Sequence, residues 1–340
     1  MKSIYDITLD KLEEFLIANN EKKFRALQIF EWLYEKRIKN FEEMTNLSKS
    51  LIMLLKENFS ISHLKIEKIE EDRDVNKYLF VLADGLFIES VLMKHDYGIS
   101  LCVSSQVGCN MACSFCESGR LKKQRDLTPG EIIMQIIMIE ELIETRISHV
   151  VMMGIGEPFD NFNNMTDFIN ICNHHKGINI GARHITISTC GIAPKIEEFS
   201  NLPYQVNLAI SLHSANDLLR TKLMPINKAY PLSLLFKEIN KYIKKTNRRV
   251  TFEYILLDNI NDSEKDAREL AKLIRGINCY VNLIPYNESS HIDYKRSKKE
   301  QILRFYDILK IEKINVTIRR EFGSNISAAC GQLRSKKEEN

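Results

Sequence analysis

The chain has 340 residues, with 48 Lys and Arg against 45 Asp and Glu, which leaves a net charge of +3. Its 44% hydrophobic and 27% charged residues, with 13 Gly and 7 Pro, exclude collagen-like, mucin-like and wholly disordered chains. So small a net charge builds no general field for a polyanion, so a nucleic-acid contact must be a local patch, and the length points to about two domains or one large α/β domain with an accessory piece.

Met1-Lys2-Ser3-Ile4-Tyr5-Asp6 places an acid where a secretory signal carries apolar residues. No window approaches the roughly 18 apolar residues of a membrane span, so a cytoplasmic protein with no membrane partner is expected. The eight cysteines then read as ligands, nucleophiles or core fillers rather than as disulfides. Along residues 1–60, Thr8 can cap a helix whose Leu9, Leu12, Phe15 and Leu16 share a stripe, and Phe24, Leu27, Phe30, Leu33 and Tyr34 form a second. This is a helical accessory domain. Residues 61–96 form a β-hairpin extension, with Tyr78 to Leu82 and Leu86 to Met93 flanking Ala83-Asp84-Gly85, the Asp-Gly pair being a strong turn signal.

Residues 97–333 alternate strands and helices. Leu101 to Ser104, His149 to Met153, His184 to Ser188, Val206 to Ser211, Val250 to Leu256 and Tyr280 to Ile284 are the strands of a parallel sheet. Thr128-Pro129-Gly130-Glu131 opens the first helix with a capping-box spacing and Pro at its first position. Ile132 to Ile143 is apolar nearly all round, so it must be covered on two sides. A full eight-fold barrel takes roughly 250 residues, more than remain, so the expected fold is α/β: a partial (β/α)6 barrel carrying the helical domain and the hairpin. Residues 334–340 are expected to be a disordered tail.

Cys109-Asn110-Met111-Ala112-Cys113-Ser114-Phe115-Cys116 follows the first of these strands. Zinc would want four ligands, usually in two separated pairs. Three thiolates on one loop suit a [4Fe-4S] cluster with one iron left open, against the plain alternative of three buried thiols. The loop falls at the carboxyl end of a strand, where α/β active sites gather.

With these residues the sequence resembles radical S-adenosylmethionine (SAM) enzymes, and within them the RlmN/Cfr group of adenine RNA methyltransferases. The resemblance rests also on Cys102-Val103-Ser104-Ser105-Gln106-Val107-Gly108, Gly156-Glu157-Pro158, Ser188-Thr189, Ser211-Leu212-His213, Pro225-Ile226-Asn227, Asn282 to Asn287 and Ala328-Ala329-Cys330-Gly331-Gln332-Leu333. It implies a radical SAM barrel in which Cys109, Cys113 and Cys116 hold the cluster while Gly156, Glu157, Ser188, Ser211, Leu212, His213 and Asn287 surround SAM. A carboxylate such as Glu157 can grip the ammonium of the methionine part; a helix-capping acid is its plain alternative, as a satisfied core histidine is for His213.

Carbon 2 of adenine is electron-poor and cannot displace a methyl from a sulfonium as an amine would. The resemblance implies a radical answer that uses two SAM per turnover and an external electron donor such as flavodoxin or ferredoxin. One SAM methylates Cys330. A radical from the second takes hydrogen from that methyl, the carbon adds to the ring, and Cys102 attacks the sulfur as a thiolate to leave a disulfide and free the base. Cys172 and Cys279 read as structural, and Cys190 as packing.

Glu89 lies on a strand face with Phe87, Val91 and Met93, where burial raises a carboxyl pKa and suits a general base; the family places an acid at this spacing to take the ring proton. An edge-strand charge is the alternative. Departures from the family pattern fall on Glu117 to Asp126, where Arg120, Lys122, Lys123 and Arg125 form a basic loop fit for phosphates, on Ile155, and on Glu288 to Asp293.

The expected function is therefore methylation of an adenine ring carbon in RNA by a monomeric enzyme, at C2 of an adenosine in the peptidyl-transferase region of 23S rRNA, with a tRNA adenosine as a second substrate. Methylation at C8, or of another RNA, is the alternative within the class. A non-catalytic iron–sulfur RNA-binding protein is the rival from another class, and it has no need of Cys102 and Cys330.

Overall fold

The structure, a computed structural model, describes residues 1–289, 291–319, 326 and 331–333. At its start, β1 (Lys2–Ser3) pairs in parallel with β2 (Phe59–Ser60) and closes a segment built on α1 (Leu9–Ala18), α2 (Arg25–Phe30) and α3 (Lys49–Asn58). Thr8 caps α1 as its spacing requires, its hydroxyl accepting from the Lys11 N–H, and Leu12 and Leu16 are buried. The second stripe is rotated from the expected one. Phe24 and Leu27 are 53% and 37% exposed, and the buried face is Ala26, Ile29, Phe30, Leu33 and Tyr34, with a π-helical turn over Glu31–Glu35. Counting only the large apolar residues hides Ala26 and places the face one residue off.

The Asp84-Gly85 turn forms between β4 (Val75–Val81) and β5 (Phe87–His95), with Gly85 at φ +82°, a conformation Gly adopts at no steric cost. The hairpin is the middle of a larger antiparallel layer. β3 (Lys65–Asp72) lies outside β4, and β6 (Gly98–Cys102) lies beyond β5. Six of the eight β3 residues are charged, a composition that hides a strand in the sequence and suits an edge that pairs on one side only.

From β6 the sheet turns parallel and runs through β9 (His149–Met152), β10 (Ile185–Thr189), β11 (Asn207–Ser211), β12 (Val250–Leu256), β13 (Cys279–Pro285) and β14 (Val316–Ile318). β14, a seventh parallel strand of three residues, is too short to stand out in the sequence. β3 and β14 are the two edges, so the ten-stranded sheet stays open. The ribbon of β7 (Gln106–Val107) and β8 (Arg125–Asp126) brackets the cysteine loop. The connections are α4 (Pro129–Ile143), α5 (Phe162–Asn173), α6 (Ala193–Ser200), α7 (Asp217–Leu223), α8 (Leu232–Thr246), α9 (Glu264–Ile274) and α10 (Lys299–Ile311). Among the described residues no helix is long and apolar enough to cross a membrane.

The α4 capping box is complete: Thr128 Oγ1 accepts from the Glu131 N–H at 3.2 Å and Glu131 Oε2 accepts from the Thr128 N–H at 3.0 Å. Both sides of α4 are covered, one by the sheet and the other by the N-terminal segment. There the Ile4–Asp6 turn packs on the helix and Asp6 Oδ1 accepts from the Gly130 N–H at 3.0 Å. Arg37 reaches the buried Glu140 of α4, which also accepts from the Ile147 N–H at 2.7 Å. Arg146 Nε, 3.5 Å from Glu140, stays as a second partner, so Arg37→Ala is expected to cost about 1.5–3 kcal/mol in urea unfolding, the worth of a hydrogen bond to a charged group, and Arg37→Lys less; an unchanged midpoint would mean that the N-terminal segment does not stabilise the core.

Candidate active site

Cys109 to Cys116 forms a tight loop at the carboxyl edge of the parallel strands, opposite α7. The Cys109 N–H donates to Leu121 O at 2.9 Å, the Ser114 N–H to Leu223 O at 2.9 Å and the Cys116 N–H to Cys113 O at 3.2 Å. Behind it, a Cβ on Gly119 would lie 2.9 Å from the Cys113 backbone, so only glycine lets the chain double back. Cys109, Cys113 and Cys116 face a cavity of about 150 Å³ whose wall includes Gly156, Glu157, Ser188, Ser211 and His213. Eight of the thirteen expected site residues thus meet at one cavity. Leu212 does not; it is fully buried in the core and offers the rim only its backbone. Asn287, Glu89 and Cys102 also lie off this wall, and Cys330 falls outside the described residues.

Glu157 is a clasp between loops. Its Oε1 accepts from the Phe159 N–H at 3.0 Å and its Oε2 from the Cys190 N–H at 2.7 Å, and burial raises its pKa. Its own N–H donates to Gln106 Oε1 at 2.9 Å, and Gln106 Nε2 donates to Asp126 and Asp160. Gly156, at φ +110°, lies so close that a Cβ would sit 2.6 Å from Gln106 Cβ. His213, at φ +56°, accepts through Nδ1 from the Ile255 N–H at 3.0 Å. Burial, with Arg220 nearby, pushes its pKa down to about 3, so the ring is neutral and carries its proton on Nε2.

Three buried polar residues escaped the sequence reading. Arg220, with no exposed surface, donates to the carbonyls of Leu212, Ser211 and Cys190 and to Asn227 Oδ1, at 2.7–3.1 Å. Asn261 joins the His213 and Ile255 carbonyls to the Leu257 N–H. Glu253, in the middle of β12, accepts from Asn282 Nδ2 at 2.9 Å through Oε1, but its buried Oε2 has no partner among the described residues; burial holds its pKa up. An arginine on a short amphipathic helix and an acid in a strand carry no local signal of burial.

Cys102 sits at the end of β6 in a small apolar cluster with Val91, Ile155 and Leu333. Gly331 O accepts from the Glu117 N–H at 2.7 Å, and Ser118 Oγ donates to Leu333 O at 2.9 Å. The 331–333 segment therefore runs from the cysteine loop to Cys102. Glu89 is buried on β5 with Lys77 Nζ 3.4 Å from its carboxylate. The basic loop divides in two. Lys123 pairs with Asp126 and Asp160, and Arg125 with Asp84 and Glu131, at 2.6–2.8 Å, so only Arg120 and Lys122 are exposed. Cys172 and Cys279 are core residues, while Cys190 packs and also lines the cavity.

Residues 103–271 match the Radical SAM superfamily and residues 2–61 the ribosomal RNA large subunit methyltransferase N-terminal domain. The chain is 56% identical over 98% of its length to a probable dual-specificity RNA methyltransferase RlmN of Listeria monocytogenes, covering 94% of it. It is 54% identical over 98% to the one of Enterococcus faecalis, covering 96%. The chain belongs to the RlmN family of radical SAM RNA methyltransferases. The crystal structure of a radical SAM methyltransferase from Sphaerobacter thermophilus matches it at a TM-score of 0.92, with 41% identity over 99% of this chain and 100% of that one.

Membership of the RlmN family implies a [4Fe-4S] cluster and SAM, and the donor set fits the cluster. Among the described residues no group of three or more His, Cys, Asp or Glu could hold a metal ion, but a four-iron cube spreads its thiolates wider than one ion does. Burial raises the Cys109 thiol to about 12 and Cys113 well above its usual range, so metal must displace their protons on binding. At about 150 Å³ the cavity is below the roughly 300–1,000 Å³ of ordinary ligand pockets. Arg220→Lys is expected to lower stability by about 2–4 kcal/mol and to abolish SAM binding, because one ammonium cannot serve four acceptors in a fork; SAM binding by calorimetry and a urea melt check it, and full binding would deny that Arg220 builds the rim.

Proposed function

We propose that the protein methylates C2 of an adenosine in the peptidyl-transferase region of 23S rRNA, and a tRNA adenosine as well, in the cytoplasm and as a monomer. The observation that carries this reading is the path of the 331–333 segment, which joins the cysteine loop to the Cys102 pocket immediately after Cys330. Cys109, Cys113 and Cys116 hold the cluster, and Gly156, Glu157, Ser188, Ser211, Leu212, His213 and Asn287 surround SAM, with Leu212 acting through its backbone. When bound, the cluster supplies the electron for reductive cleavage of SAM, drawn from a donor such as flavodoxin or ferredoxin, and two SAM are used per turnover.

Cys330 gives up its thiol proton and takes a methyl from one SAM; the radical supplied by the second SAM removes one hydrogen atom from that methyl, the carbon adds to the ring, and the adduct loses its unpaired electron to the external redox carrier. Cys102 then attacks the Cys330 sulfur as a thiolate, which leaves a disulfide and frees the base. Glu89 takes the ring proton, with Lys77 Nζ 3.4 Å from its carboxylate. His213, neutral at working pH, donates through Nε2 without adding charge to the site. Residues 1–60 form the accessory domain, 61–96 the connection to it and 97–333 the core.

Cys102→Ala is expected to accumulate protein covalently joined to RNA through Cys330, whereas Cys330→Ala gives neither adduct nor product. Denaturing gels with labelled RNA and peptide mapping read both, and product from Cys330→Ala would refute the carrier role. Replacing Cys109, Cys113 and Cys116 together by Ala is expected to remove bound iron and SAM cleavage. In the basic loop, Arg120→Gln with Lys122→Gln is expected to flatten the salt dependence of RNA binding by about 0.7 in log–log slope per cation, while Lys123→Gln leaves the slope unchanged because that charge is already paired.

A further inference from the structure

The amino ends of the parallel strands surround a second and much larger cavity, of about 1360 Å³. Its mouth carries Arg183 before β10, Lys245 at the end of α8, and Arg248 and Arg249 before β12. None of these four cations pairs with a carboxylate among the described residues, unlike Lys123 and Arg125 at the other end of the sheet. Neutral groups hold them instead. Arg183 Nε donates to Gln205 Oε1 at 2.9 Å, Arg248 Nη2 donates to Asn207 Oδ1 at 2.8 Å, and Arg249 lies 5.1 Å above the Tyr280 ring. Asn207 Nδ2 donates to Arg183 O at 2.7 Å, so one amide organises two arginines. Among the described residues Arg248 Nε is buried without a partner. Amides fix a guanidinium in place without cancelling its charge, so the mouth is pre-organised for an anion.

Beside the cations stands an aromatic step. Tyr97, 68% exposed, stacks on His95 at 4.6 Å between centroids and meets His149 edge-on at 5.3 Å; His149 stacks on His184 at 4.3 Å. The acids on the cavity wall are Asp96 at the rim and Glu253 at the inner end, where Met153, Glu253 and Arg319 also line the candidate active site. A charged groove beside a stacking ring is how proteins hold single-stranded nucleic acid. The volume exceeds the roughly 300–1,000 Å³ of a single-ligand pocket, which favours a strand of several nucleotides.

We propose that this mouth is a second RNA site, in which Arg183, Lys245, Arg248 and Arg249 take the phosphates of a single-stranded segment and Tyr97 stacks on one of its bases. The proposal rests on RNA being the substrate only for the source of the strand. The four cations and Tyr97 stand at the opposite end of the strands from the cysteine loop, and the two cavities meet only at Met153, Glu253 and Arg319.

The test is binding of a short labelled oligouridylate to the full chain over a salt series. Arg183→Gln, Lys245→Gln and Arg249→Gln together are expected to weaken binding about tenfold or more at physiological salt and to lower the log–log slope by about 2. All three side chains are exposed. Tyr97→Ala is expected to weaken binding about tenfold with the slope unchanged, and ultraviolet crosslinking to place a uridine on Tyr97. SAM cleavage without RNA is expected to match that of the parent chain in both variants. An unchanged slope in the triple variant, or crosslinks confined to the cysteine-loop end, overturns the proposal while leaving the methyltransferase reading in place. Competition by adenosine monophosphate at equal nucleotide concentration would assign the cavity to a free nucleotide and also overturn it. No binding of any RNA by the parent chain would instead count against the methyltransferase reading as well.

Discussion

The carboxyl-end rim of the sheet depends on one buried guanidinium. Arg220 has no exposed surface, and its donors reach the carbonyls of Cys190, Ser211 and Leu212 and the Asn227 amide. Those carbonyls lie at the end of β11 and in the turns after β10 and β11, beside Ser188, Ser211 and His213 of the cavity wall. Hydrogen bonds from a charged donor contribute about 1.5–3 kcal/mol each, but the larger effect is geometric. A planar fork fixes the two turns relative to each other, so the site is set by a side chain that does not line it. Gln106 does the same on the other side, joining Glu157 to Asp126 and Asp160.

This division of labour explains the character of the interior. A complete barrel fills its centre with branched apolar layers; here the inward positions include Ser100, Thr186, Thr251, Glu253, Asn282 and Thr317. The open sheet therefore encloses polar space at both ends, and Met153, Glu253 and Arg319 stand where the two spaces meet. Apolar packing is moved outward, onto the helices and above all onto α4, which is buried along most of its length. The N-terminal segment stabilises the core by covering α4 and by pairing with Glu140.

The charge pattern follows from the same economy of contacts. With a net charge of +3 over 340 residues, the chain cannot attract RNA by its mean field; it can do so only where cations are left uncompensated. Near the cysteine loop two of four are consumed by internal pairs, which leaves Arg120 and Lys122. At the amino ends of the strands four are held by amides and an aromatic ring, Lys245 by the Asn201 side chain. Which cations are available to a ligand is thus decided by their partners.

The sequence by itself determined the alternation of strands and helices, the Asp84-Gly85 turn, the Thr128 capping box and the three-cysteine loop, because each is written in neighbouring residues or in a short period. It also marked the family, through motifs spread along the chain, and with it the residues expected at the site. Only the tertiary structure decided that β3 and β14 join the sheet, that Leu212 turns into the core, that Glu157 clasps two loops, and that Lys123 and Arg125 are already paired. Arg220, Asn261 and Glu253 were invisible for one physical reason: a buried polar residue is identified by the distant groups that satisfy it, and sequence spacing does not record which groups folding brings within 3 Å.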